Sequence, residues 1–402
     1  MNAKTSYFNK KIFTHNLIQV LPFLLLMSGI MAAITLFTIS HVIQQSIQSS
    51  FDYDHETLII MLKNTLCDNT SVALVKVLMA CYSFFCGVSV FRYLFQKKLC
   101  QTIHALPMKR SGLYLTNLLS GLVMLAIPFL FSILALCLYL PIKGYGAACS
   151  VLPLWFLVSI GFCLIFYALS ILAVMLTGHL FATPIVYFIL NFGIFIGEML
   201  LHSFVSAFFF GMQADYVEIS KLSILTPFVH LWQTLRLQNA SSLTLASYLS
   251  EGLEALVIYA LVSLVIFAVC RLLYQIRKLE YQGDPIVLKP VQPVFLYIGV
   301  ILGSIIIAII LYNMSYYNMY AAAYDNYTLT ALFIYFMLSS VVLYFVINML
   351  LKKTVHVFRS NYKGITVYCC IALSLFLFIR MDVLGIETKT PEVKELSSIC
   401  LS

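Results

Sequence analysis

Charge is scarce in this sequence. Only 10% of its 402 residues are Asp, Glu, Lys or Arg, and 62% are hydrophobic. Soluble globular domains average about 25% charged and about 45–50% apolar residues, so a water-soluble fold is excluded. Catalytic signatures are missing too. No GxxxxGK[ST] phosphate loop occurs, so these residues hold no P-loop ATPase. The segment "HETLI" (55–59) lacks the second histidine of a zinc-protease helix. No GxSxG nucleophile elbow is present. The 11 cysteines form no Cys-x-x-Cys pair, and Cys81, Cys86, Cys137, Cys163, Cys270, Cys369 and Cys370 lie inside apolar runs. There they act as small packing residues, and neither a disulfide framework nor a metal site follows. An enzyme is not expected, nor is a cofactor.

Long apolar runs are what the chain has. Nine stand out: 17–39, 72–95, 115–140, 152–177, 180–208, 253–274, 293–312, 329–350 and 364–380. A bilayer-crossing helix needs about 20 apolar residues. Backbone groups in lipid must pair within their own segment, so these runs are expected to be helices. The expected fold is an all-α polytopic membrane protein with about nine spans. The first run exceeds the 7–15 apolar residues typical of a signal peptide and reads as a retained span. Run 180–208 is longer than one crossing needs, and tilt or a bend near Pro184 would absorb the excess.

The few charges are unevenly placed. With the N-terminus inside, the inside segments carry sixteen Lys and Arg against two acids, Glu280 and Asp284. The outside segments carry six basic residues and twelve acids. This is the positive-inside pattern of a multi-pass plasma-membrane protein, with a cytoplasmic N-terminus and an extracytoplasmic C-terminus. The net charge of +8 is therefore topological. No basic stripe with interleaved aromatics points to nucleic acid. At the N-terminus, Lys4, Lys10 and Lys11 alternate with Tyr7, Phe8, Ile12 and Phe13, which fits an interfacial amphipathic helix or simple basic anchoring of the first span.

One basic island, "KKLCQTIHALPMKRSGLYLTN" (97–117), has more structure than topology requires. Leu99, Ile103 and Leu106 recur at helical spacing and form one apolar face, with Lys97, Lys98, Gln101 and His104 elsewhere. Pro107 disfavours helix at Leu106, so a break is expected before Lys109 and Arg110 lead into the third span. The expected geometry is a short helix, a break and a return to the membrane.

Here a resemblance enters. "HALPMKRSGLYLTNLLSGL" (104–122) resembles a segment of type-2 ABC transporter permeases, in particular of a Firmicutes group, through His104, Leu106, Pro107, Lys109, Arg110, Asn117 and Gly121. Ala105 stands where that pattern has Ser. "GDPIVLKPVQPVF" (283–295) resembles a linker of the same group, with Leu288 in place of Phe, and "GIETKTPEVKELSSICLS" (385–402) resembles the entry to an outside domain. The order of spans agrees over nearly the whole chain. The resemblance implies a six-helix permease core at 1–278 with a coupling helix near 97–110, and a three-helix extension at 279–402. It also implies an exporter driven by a separate ATPase subunit, with Leu99, Ile103, His104, Leu106, Pro107, Lys109 and Arg110 at the docking site. A second permease subunit, identical or similar, would complete the pathway. It implies as well a structured outside loop at 209–252, which holds "ILTPFVHLW". There Phe228, His230 and Trp232 read as an aromatic belt or as substrate contacts.

Ionisable residues inside spans are costly and point to function. Glu198, in the fifth run, is the candidate for a pathway or subunit-interface role, set against a structural pair. Lys76 and Glu254 lie nearer span ends, where a side chain can reach the interface. Two other classes stay open. An ion- or proton-coupled secondary transporter would show an inverted repeat with paired broken helices. A polytopic membrane enzyme would cluster acids or histidines, and the one dense acidic group, at 52–56, reads as a solvated loop.

Overall fold

The computed structural model describes residues 8–48, 54–69, 73–105, 108–208, 224–234, 253–277, 283–316, 326–354 and 358–381, and among them it is helical without a strand. The helices are α1 (Lys10–Gln48), α2 (His55–Asn69), α3 (Ala73–Val90), α4 (Lys97–His104), α5 (Arg110–Ile142) and α6 (Leu152–Leu176). They continue with α7 (Ala182–Phe208), α8 (Pro227–Thr234), α9 (Leu253–Ile276), α10 (Gln292–Tyr316), α11 (Asn326–Lys352) and α12 (Phe358–Arg380). Short 3₁₀ turns at Arg92–Phe95 and Gly146–Val151 precede α4 and α6.

Seven of these, α1, α5, α6, α7, α9, α10 and α11, are long and apolar enough to cross a membrane. The second and ninth expected runs appear as shorter apolar helices, Leu74–Val90 and Tyr362–Phe378. The chain is thus all-helical and multi-pass by composition, with seven full-length candidate spans among the described residues.

Helix starts follow local chemistry. The Asn9 side chain accepts bonds from the backbone N–H of Lys11 at 2.9 Å and Ile12 at 3.4 Å, capping α1. Phe8 packs on Phe13 at 5.6 Å between ring centroids, which staples the same turn. From Lys10 onward α1 is one continuous helix, and residues 1–7 lie outside the described part. The acids at 54–56 open α2 rather than forming a loop: Asp54 Oδ1 accepts the His55 N–H at 2.8 Å, and Glu56 lies in the first turn. Acids there complement the positive end of the helix dipole. Pro184 occupies the first turn of α7, where a missing N–H removes no helical bond.

The chain divides into two units, residues 1–193 with 223–288 and residues 194–222 with 289–402. The second unit therefore takes the distal half of α7, and the first takes the linker up to Leu288. In the first unit α6 is central, flanked by α3 and α9, while α1 lies along α5. Helices in lipid gain little from burying oil against oil, so close packing and hydrogen bonds hold them together. Tyr167 Oη donates to the Leu118 carbonyl at 3.0 Å, Ser170 Oγ to Phe84 at 2.9 Å, and Tyr114 Oη to Phe267 at 2.9 Å. Gly121 lies directly under the Tyr167 ring and hydroxyl, where any side chain would collide. In the second unit α10 pairs with α11, Ser339 Oγ bonds the Ser304 carbonyl at 3.1 Å, and Phe333 of α11 stacks on Phe376 of α12 at 3.9 Å.

The linker at 283–287 is a strap across the α6–α7 turn. Gly178 N–H donates to Asp284, Gly283 N–H to Gly178, both at 2.9 Å, and Val287 N–H to Leu176 at 2.8 Å. Gly283 has φ +90°, a conformation that favours glycine. Ile286 and Val287 of the strap are buried.

Replacing Gly121 with Ala is expected to destabilise the protein by about 1–3 kcal/mol through overpacking against Tyr167. Gly29→Ala, which meets nothing within 4 Å, is expected to be neutral or stabilising, since Ala is the better helix former. Thermal unfolding in one detergent compares the two.

Candidate functional site

The short helix α4 lies between the 3₁₀ turn 92–95 and α5. It ends at His104, as a break near Pro107 would require, and Leu106 and Pro107 themselves fall outside the described residues. Lys97, Lys98, Leu99, Gln101 and Thr102 are exposed, Cys100 is buried, and Ile103 and His104 are half-buried. Leu99 is 46% exposed. Ile103 packs partly against the core and, with Leu99, lines a cleft of about 200 Å³ toward His15, Asn16 and Arg92. Of the apolar face expected from spacing, Leu99 is therefore exposed and Ile103 half-buried against the core, and both line this cleft.

His104 belongs to the inward face. Its Nδ1 lies 2.9 Å from the Cys100 carbonyl and its Nε2 3.3 Å from Tyr274 Oη of α9. Tyr274 Oη is 2.8 Å from Tyr93 Oη. Asn117 Nδ2 of α5 donates to Tyr93 Oη at 3.1 Å. Asn16 Nδ2 of α1 donates to Asn117 Oδ1 at 2.9 Å and to Ser120 Oγ at 3.1 Å. One chain of hydrogen bonds thus joins α4 to α9, to the 3₁₀ turn after α3, to α5 and to α1.

The donors and acceptors fit a single ordering. His104 Nδ1–H donates to the carbonyl and Nε2 accepts from Tyr274. Tyr274 accepts from Tyr93, and Tyr93 accepts from Asn117. A proton on Nε2 would reverse the first two tyrosine bonds and leave the Tyr93 hydroxyl proton without a place in the chain. Burial accordingly holds the His104 pKa below its ordinary value near 6.5; the nearby Arg110 and Arg277 charges act in the same direction, while the bond to the Cys100 carbonyl opposes them.

Two arginines tie this end of the unit to helix C-termini, where partial negative charge favours cations. Arg110 Nη1 donates to the Gln275 carbonyl in the last turn of α9 at 3.1 Å. Arg277 is 4% exposed, and its guanidinium donates to the carbonyls of Val174 at 2.7 Å, Met175 at 3.3 Å and Thr177 at 2.9 Å, at the end of α6. Burial lowers its pKa to about 10, still far above neutrality, and Cys100, Tyr93 and Tyr274 act in the opposite direction. Lys109, the N-cap of α5, is exposed beside them.

The other candidate residues are not members of this hydrogen-bond chain. Glu198 is half-buried on the stretch of α7 that belongs to the second unit, whereas every network residue belongs to the first. Lys76 does not reach for solvent: it is 1% exposed and donates to the carbonyls of Leu231 at 3.4 Å and Trp232 at 3.3 Å, under the end of α8, with its ammonium 5.7 Å from the Trp232 ring. Phe228 packs on Phe166 and Phe192. Of the network, the quoted motif includes His104 and Asn117, with Arg110 beside it. Tyr93, Tyr274, Asn16 and the capping role of Arg277 went unseen. Tyr93 and Tyr274 are 181 positions apart, and no spacing rule joins them.

Compared with known proteins, the chain matches no family model, no curated protein and no solved structure.

Arg277→Met is expected to cost about 3 kcal/mol, because charge-assisted bonds to the end of α6 are lost, and Arg277→Lys less. Denaturant unfolding measures both. For His104 the folded pKa lies below the unfolded one, so the unfolded chain binds the proton more readily. Stability attributable to this residue is complete above about pH 6.5 and is lost as pH falls through the lowered folded value. The Tm of the native protein is expected to drop more between pH 7.5 and pH 5 than that of His104→Gln.

Proposed function

We propose that this chain is the membrane-spanning permease subunit of an ABC transporter, exporting its substrate with ATP hydrolysed by a separate subunit. The observation that carries the reading is α4. It is a short helix outside the candidate spans, exposed on one side and wired through His104 on the other to four helical elements. A docking element of a transporter needs this combination of a free face for a motor and a rigid inward connection.

In this reading the ATPase contacts Leu99 and the exposed part of Ile103, with Lys97, Lys98, Lys109 and Arg110 around them. Such rim charges govern association rate more than affinity. Closure of the ATPase on ATP displaces α4. The His104–Tyr274–Tyr93–Asn117–Asn16 chain carries the displacement to α9, α5 and α1. Binding energy that differs between two arrangements of the bundle then shifts the population between them. Nine spans, a cytoplasmic N-terminus, an extracytoplasmic C-terminus and pairing with a second permease subunit belong to the same proposal. Glu198 is assigned to the pathway or to the subunit interface.

Leu99 is a better test position than Ile103, which also packs against the core. Co-expressed with a candidate ABC ATPase subunit that co-purifies with the native chain, Leu99→Asp is expected to reduce co-purification at least about tenfold, a loss of roughly 1.4 kcal/mol, while leaving Tm unchanged. Undiminished association and ATP hydrolysis in reconstituted vesicles would sink the docking assignment.

A further inference from the structure

The other end of the first unit carries a cleft that the ATP-driven reading does not use. It has a volume of about 480 Å³ and lies between α6, α7, α8 and α9. Its walls are Ile165 and Leu169 of α6, Leu190 of α7, and Ile258, Val262 and Ile266 of α9. From Glu254 to Ile266 the wall follows α9 for about 18 Å, a length that suits an extended alkyl chain. Polar groups gather at one end only. Glu254, exposed in the first turn of α9, lines it together with His230 and Thr234 of α8. Tyr259 Oη donates to the Ile224 carbonyl at 2.8 Å, and its ring meets His230 edge-on at 5.7 Å, which fixes that end.

His230 has an unmet need. Its Nδ1 is buried and has no hydrogen-bond partner. Burial lowers the His230 pKa below its ordinary value, which favours the neutral ring at pH 7; with the ring proton on Nε2, Nδ1 is an acceptor awaiting a donor. A buried acceptor left unpaired costs about 1–3 kcal/mol. Ligand sites of this size are mostly apolar with a few placed polar groups, and these polar groups select the ligand. An acyl anion would set its charge beside Glu254. An uncharged hydrocarbon would leave His230 unpaired. An ammonium group answers both, pairing with the carboxylate and offering an N–H.

We propose that the α6–α9 cleft binds an amine-bearing amphiphile, its alkyl chain along α9 and its ammonium between Glu254 and His230. The site requires no ATPase, so its test is independent of the transport reading. The full chain is placed in phosphatidylcholine nanodiscs and labelled with an alkylamine carrying a diazirine in its tail, and the labelled peptides are mapped. Labelling is expected in the segments around 165–169 and 258–266. Dodecylamine should displace it about fivefold to tenfold better than dodecanol or dodecanoate, and Glu254→Gln, at an exposed position, should erase that preference. Val262→Trp should fill the cleft and remove the label. Equal competition by amine, alcohol and carboxylate, or an amine preference that survives Glu254→Gln, would overturn the proposal. Added phosphatidylethanolamine separates two sources of the same chemistry: suppression of labelling identifies a membrane lipid, and persistence identifies a free amine.

Discussion

The first unit depends on how the end of α6 is satisfied. A helix leaves its last carbonyls without partners, and at Val174, Met175 and Thr177 those partners come from the Arg277 guanidinium, about a hundred residues away in sequence. The strap at 283–287 adds backbone bonds to Leu176 and Gly178. Within a few residues the chain thus supplies a buried cation and a short run of backbone pairing to one helix terminus. The desolvation penalty of the guanidinium is offset because three dipoles aim at it. Remove it, and α9 loses its anchor on α6 at the place where Tyr274 must be held.

Holding Tyr274 matters because the polar chain through it has one consistent arrangement. Each hydroxyl and amide has a defined giver and taker, and Tyr93, Asn117 and Tyr274 at its centre are buried, so a bond broken there is costly. That makes the connection between α4 and the spans stiff. It also ties the position of α4, exposed on its other side, to the helices behind it.

Much of this was legible in the sequence, for physical reasons that also mark the limits. Apolar runs of spanning length became helices because lipid permits little else. The stop after His104 followed from Pro107. What spacing could not separate was which side of α4 faces inward: Leu99 and Ile103 fall on one stripe, yet Leu99 is exposed while Ile103 packs partly on the core beside buried Cys100 and half-buried His104, whose imidazole meets a hydroxyl on α9. Asp54 and Glu56 looked like a solvated loop until Asp54 proved to start α2, a role that depends on the packing of Leu62 and Leu66 against α1 and α5. Lys76 looked able to reach the interface, and instead serves α8. In each case the deciding partner lies far along the chain, where local periodicity carries no information.

Lys76 also has a consequence in time. Its carbonyl partners, Leu231 and Trp232, come 155 and 156 positions later in the chain. At roughly 5–20 residues per second of synthesis, the ammonium of α3 is made about 8–30 s before those carbonyls exist. During that interval the helix must be held by something other than its final contacts, at the membrane edge or by the insertion machinery. The settled position of α3 is therefore a late event in biogenesis, reached only after α8 has been made.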